Sequence, residues 1–152
     1  RRLPMMLETL LAEREIYRAL VRFARAMDYR DWGALDAIIA LDASADLGMG
    51  TIHGREGITA FMRSFLDDCG PTQHMLGNVM IDVQDDTAQS SCYVSDMHKG
   101  SGEKSALTFS TLGEYHDSWE RVGGVWRMTQ RIKRNRAHIG DISVLGAGPA
   151  SR

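Results

Sequence analysis

Cysteine is scarce in this 152-residue chain, which holds only Cys69 and Cys92. Two thiols so far apart make neither a disulfide framework nor a Cys-x-x-Cys site, and free thiols in a reducing cytoplasm are expected. Long apolar runs are missing as well. No stretch approaches the roughly 20 residues that cross a bilayer, so no membrane partner is expected. Charge of one sign is not in excess: the formal net charge is −2 and the pI about 6.2. That balance gives no argument for nucleic acid or an anionic surface as a partner. None of the five histidines has the paired helical spacing of a zinc protease, and no Cys/His cluster occurs. No metal and no cofactor are therefore expected. No Ser or Cys sits in a nucleophile elbow. Gly48-Met49-Gly50 lacks the third glycine and the βαβ setting of a phosphate-binding loop. Arg1 to Met6 carries neither a signal peptide's apolar core nor an initiator Met, which suggests a cytoplasmic chain trimmed at its start.

What is present is the composition of one globular domain: 43% hydrophobic and 25% charged residues. The reading is a single domain over 1–152, with a core from about 8 to 136 and a tail, 137–152, that is mobile or serves as a lid. Leu7 to Met27 predicts an amphipathic helix, with Leu10, Ile16, Tyr17, Leu20, Phe23, Ala24 and Met27 at three- and four-residue steps. Asp28 continues that stripe. A carboxylate there is costly unless paired. Paired, it becomes a favoured place for proton chemistry.

A short helix over Ala34 to Ile39 and a short strand within Asp42 to Gly50 follow. Gly54 to Asp68 predicts another helix, ended by Gly70-Pro71. From there the chain turns to β-formers: His74 to Val83, Ala88 to His98, Ser105 to Trp119 and Val125 to Ile132. Asp85-Asp86 and Gly123-Gly124 mark tight turns, and Lys99 to Lys104 a polar loop. Helices followed by a long antiparallel meander are an α+β signature. Such a sheet wrapped on the first helix forms a half-open cone whose mouth is a natural pocket.

Period two places His74, Leu76, Asn78 and Met80 on one face of their strand, and Val79, Ile81 and Val83 on the other. The latter reads as an apolar outer face buried in a homodimer or homotrimer. His98 shares a face with Asp96, Val94 and Cys92, and taken alone is a solvent-facing residue. Arg131 taken alone reads as a surface cation. Lys133-Arg134-Asn135-Arg136 reads as a solvated strand end.

Four short motifs then stand in a telling order: Asp28-Tyr29-Arg30-Asp31-Trp32, Thr72-Gln73-His74, His98, and Gly124-Val125-Trp126. Over residues 8 to 136 the chain resembles the SnoaL-like branch of the nuclear transport factor 2-like superfamily, with likenesses to scytalone dehydratase and hexachlorocyclohexane dehydrochlorinase. The resemblance implies a cone-shaped α+β barrel, N-terminal helices against a curved, mainly antiparallel sheet. It implies a catalytic dyad in which His74 removes a carbon-bound proton and Asp28 orients the ring. By the same resemblance His98 helps a leaving oxygen depart, and Arg131 helps a leaving halide or developing negative charge. Tyrosines of the dehydratase pocket become Met27 and Leu47, an asparagine becomes Tyr115, and a lysine of the dehydrochlorinase becomes Phe23. The implied pocket is thus apolar, with Phe23, Met27, Leu47, Met49, Met80 and Tyr115 in contact with a small hydrophobic substrate.

The expected activity is that of a lyase, a dehydratase or dehydrohalogenase, working without a cofactor. Two other readings stay open. One is a noncatalytic ligand-binding or oligomerisation module of the same fold. The other is a ketosteroid-isomerase-like enzyme with Tyr115 in an oxyanion hole, for which no base on the sheet is evident.

Overall fold

The computed structural model describes residues 3–150. The chain opens with helix α1, Leu3–Asp28, one turn longer at its start than the apolar pattern alone predicts. Pro4 lies in the first turn, where its missing N–H has no intrahelical acceptor to lose. Ile16, Leu20, Phe23, Ala24 and Met27 form the buried stripe. Leu10 and Tyr17, expected on that stripe, face solvent at 60% and 49% exposure. Tyr17 is one residue from buried Ile16, roughly 100° round the helix, and Leu10 is two from buried Ala12. No described helix is long and apolar enough to cross a membrane.

α1 ends in a left-handed cap. Arg30 adopts φ +54°, its N–H reaching the Met27 carbonyl at 3.2 Å while the Asp31 N–H reaches Ala26 at 2.9 Å. A 3₁₀ turn, Trp32–Ala37, replaces the expected second helix. Two strands follow, β1 (Ile39–Asp46) and β2 (Thr51–His53), where the sequence pattern suggests one. Helix α2 spans Arg55–Leu66. The long strands are β3 (Thr72–Gln84), β4 (Thr87–Lys99), β5 (Thr108–Val122) and β6 (Val125–Gly140). They turn at Asp85-Asp86 and Gly123-Gly124, as predicted.

The sheet order is β2-β1-β6-β5-β4-β3. Every neighbouring pair is antiparallel except β1 with β6. The sheet curves without closing, and β2 and β3 remain its edges. α1 lies along β3 and α2 against β1, so the helices fill the concave side. Phe23 and Met27 of α1, Ile58, Met62 and Leu66 of α2, and Trp119, Trp126 and Met128 of the sheet share one core. The expected α+β cone is therefore the observed architecture.

β3 departs from the simple alternation. Asn78 has φ +51° and the pairing with β4 shifts between Gly77 and Met80. A bulge adds a residue to one strand and exchanges its two faces beyond that point. His74 and Leu76 face inward before it; Val79, Ile81 and Val83 face inward after it and pack on the core. The expectation of Val79, Ile81 and Val83 as an outer subunit interface is thereby overturned. Met80 turns outward and is 66% exposed.

The segment after Ile132 is also more ordered than expected. Residues 133–140 continue β6 and pair with β5. Beyond Gly140 a helical turn, Ile142–Val144, buries Val144. The Gly146 N–H then donates to the Phe65 carbonyl at 2.8 Å. The tail is strapped across the C-terminal end of α2.

Candidate active site

Asp28 is the last residue of α1, and the left-handed cap turns the chain so that its carboxylate meets the start of β3. Three donors converge on it. The His74 ring nitrogen Nδ1 lies 2.6 Å from Oδ1, the His74 backbone N–H donates to Oδ2 at 3.0 Å, and the Thr72 hydroxyl donates to Oδ1 at 3.0 Å. Burial works to raise the Asp28 pKa, but the His74 and Thr72 hydrogen bonds outweigh it and hold the carboxyl below its ordinary 3.8. Asp28 is ionised at neutral pH. It therefore accepts the Nδ1–H hydrogen bond, a tautomer of the ring that leaves Nε2 as a lone pair.

Arg30 locks this arrangement. Its guanidinium donates to the carbonyls of Met27, Asp28, Leu66 and Gly70 and to the Thr72 hydroxyl, the last at 2.8 Å. Thr72 in turn donates its own hydrogen bond to Asp28. The motif Asp28-Tyr29-Arg30 pointed to this corner, but nothing in residue spacing identifies Arg30 as its keystone.

His98 stands beside His74, the ring centroids 5.3 Å apart and the planes nearly perpendicular at 88°. It is buried, against the solvent-facing expectation. Its Nδ1 donates to the Phe109 carbonyl at 2.9 Å. Burial pushes its pKa below 6.5, and Asp96, 3.7 Å away, only partly opposes this. His98 is thus neutral at pH 7, and its Nε2 also presents a lone pair.

Among the described residues no buried side-chain nitrogen or oxygen lacks a hydrogen-bond partner. The Nε2 atoms of His74 and His98 bond nothing among the described residues, so they open onto free space. That space is a cavity of about 290 Å³ lined by both histidines. Phe23, Met27, Leu47, Met49, Tyr115 and Arg131 also line it. Asp28 stands behind His74 rather than on the wall. Met80, expected on the wall, is outside because of the β3 bulge. The tail contributes Ile142 and Leu145 at the mouth. A larger groove of about 680 Å³ between α1 and the 3₁₀ turn carries neither histidine.

Arg131 is no surface cation. It is 3% exposed, forms two hydrogen bonds to Asp117 at 2.8 and 3.0 Å, and lies between the rings of Tyr115 and Phe23, 3.6 and 4.2 Å from their centroids. Burial acts against its charge, but Asp117 more than restores it and raises the pKa further. Asp117 fell outside the sequence reading. Its inward position, on alternate residues of β5 with Tyr115, was the available signal.

A second ion pair was also missed. Asp96 is buried, and Lys133 Nζ reaches its Oδ2 at 3.1 Å. Burial acts to raise the Asp96 pKa, but Lys133, Thr111 and His98 bring it below 3.8. Lys133 is thus not part of a solvated strand end. Ligand atoms of His74, Asp96 and His98 lie within 4.8 Å of one another. A metal would have to compete there with Lys133 and Thr111 for Asp96.

Comparison with known proteins agrees with this fold. Residues 8–132 match the family described as the SnoaL-like domain. An uncharacterised Mycobacterium tuberculosis protein is 31% identical over 121 residues, 78% of this chain and 82% of that one. A hexachlorocyclohexane dehydrochlorinase from Novosphingobium barchaimii superposes with a TM-score of 0.79 at 20% identity, covering 88% of this chain and 92% of that chain. A candidate scytalone dehydratase from Novosphingobium aromaticivorans gives 0.75 at 21% identity, covering 86% and 88%. At these identities the two structures share the fold.

Proposed function

The chain belongs to the SnoaL-like domain family, and on that premise we propose that it is a lyase that removes a carbon-bound proton from a small hydrophobic molecule. The observation that carries this reading is the 2.6 Å contact between Asp28 and His74, with His74 Nε2 open to an apolar cavity. His74 Nε2 takes the proton, the C–H electron pair forms the new double bond, and the bond to a neighbouring hydroxyl or halide breaks. Asp28 stabilises the resulting imidazolium and keeps the ring in one tautomer. With a hydroxyl leaving group, the imidazolium returns the proton and water departs. His98 has no Nε2 proton to give at neutral pH, so it accepts a hydrogen bond from the substrate and orients it.

General-base action contributes about 10² to 10⁴ in rate. Incubating a panel of hydrophobic β-hydroxy ketones with the protein in D₂O, followed by NMR, reports both exchange and elimination. The expected result is turnover of at least one compound, cut by about that factor in both His74→Ala and Asp28→Asn. Full turnover in either variant sinks the dyad.

A further inference from the structure

We infer that Lys133 is the oxygen-binding group of the cavity, and that the substrate is a carbonyl compound whose oxygen Lys133 holds while His74 acts on the adjacent carbon. The inference rests on the dyad reading and adds the electrophilic half of the reaction.

Arg131, Lys133 and Asn135 are alternate residues of β6, and all three face the cavity. Hydrogen-bond bookkeeping then singles out Lys133. The Thr111 hydroxyl gives its one proton to Asp96 Oδ2 at 2.6 Å, so towards Lys133 Nζ, 3.3 Å away, it can only accept. The ammonium has three N–H bonds. One goes to Asp96 and one to Thr111, and the third meets no protein acceptor among the described residues. The Lys133 side chain is 16% exposed while the Asp96 side chain is 0% exposed, so the open side of the pair is the lysine's.

Gly113 makes the reach possible. Its backbone is ordinary, with no left-handed φ. A Cβ there would lie 3.1 Å from Lys133 Cε, 3.0 Å from Asn135 Oδ1 and 2.9 Å from Val94 Cγ1. The glycine is needed for space: the lysine stem crosses β5 over it to arrive beside Asp96. Asp96 in turn lies beside His98, and His98 beside His74. The cation thus stands on the histidine side of the cavity.

The chemistry balances without a further reactant. His74 Nε2 takes the proton α to the carbonyl, the C–H pair becomes the C=C bond, and the carbonyl π pair moves to oxygen. Lys133 holds that enolate oxygen by a charge-assisted hydrogen bond. Collapse of the enolate then expels the β-substituent.

The test uses 4-nitrophenol, whose visible band reports its phenolate form and which mimics a flat enolate. Wild-type protein is expected to bind it as phenolate and to lower its ionisation midpoint. Lys133→Met should weaken phenolate binding by about tenfold or more, and Lys133→Arg should keep part of it. Because Lys133→Met strands the Asp96 charge, the double variant Asp96→Asn/Lys133→Met serves as a folded control and should lose the phenolate equally. Gly113→Ala should weaken binding without altering any charge. Wild-type-like binding by the folded double variant, or no perturbation of the phenol by wild type, overturns the inference. The dyad fails separately: Asp28→Asn should cut turnover by the factor given above yet keep the phenolate. A protein that binds phenolate through Lys133 but exchanges no proton retains this assignment and loses the lyase reading.

Discussion

Arg30 occupies the left-handed region at φ +54°, a conformation that costs a non-glycine residue about 1–2 kcal/mol. The cost is offset by the guanidinium's bonds to four carbonyls and the Thr72 hydroxyl. The two effects can be separated. Arg30→Ala loses the bonds and keeps the strain, whereas Arg30→Gly loses the bonds and relieves it. Urea unfolding should therefore rank both below wild type, with the glycine variant about 1 kcal/mol above the alanine variant. Equal stabilities would show that strain at this corner is negligible. Arg131 and Asp117 offer a contrasting case. Arg131→Leu leaves a buried carboxylate unpaired and should cost about 3–5 kcal/mol. Replacing both partners by apolar residues should recover most of that, as read from the same unfolding curves.

At the scale of the element, β3 shows what one residue does to a strand. The bulge at Asn78 exchanges the faces, bringing Val79, Ile81 and Val83 onto the core. Asn tolerates a positive φ; a β-branched residue does not. Asn78→Val should cost about 1–2 kcal/mol, while Asn78→Gly should be near neutral. Deleting Asn78 removes the extra residue and turns those three apolar side chains outward. Such a protein should bind a hydrophobic dye that wild type does not. The C-terminal strap is a second element whose order rests on few contacts. Its Ile142 and Leu145 line the cavity mouth and its Gly146 bonds Phe65. Truncation after Gly140 should speed release of bound 4-nitrophenol in stopped-flow measurements, and an unchanged rate would show that the strap does not gate the mouth.

At the scale of the molecule, titration of the site couples to folding. His98 is held neutral below its ordinary 6.5, so as pH falls the unfolded chain takes up that proton first. The stability this contributes is full above about pH 6.5 and is lost below it. Asp28 and Asp96 are held below 3.8, so their contribution is full above that value and vanishes as pH drops through their folded values. Acid denaturation should therefore begin with a shallow loss from about pH 6.5 and steepen below about 4. Urea midpoints across pH 7 to 3 measure this. A flat profile from 7 to 5 contradicts a buried neutral His98, and His98→Asn should remove the first stage alone.

Much of this molecule is written locally. The three- and four-residue steps through Ile16, Leu20, Phe23 and Met27, the paired turn residues Asp85-Asp86 and Gly123-Gly124, and the β-rich second half set the elements, because burial periodicity and turn chemistry act within a few residues. Asp28 was legible for the same reason, as a charge on an apolar stripe. The partners were not. That Lys133 turns inward to Asp96, that Arg131 spends its fork on Asp117, and that Arg30 braces Thr72 depend on strand register and on a helix cap touching a distant strand. Those contacts join residues 14 to 42 positions apart, and only the folded sheet brings such groups within hydrogen-bonding range.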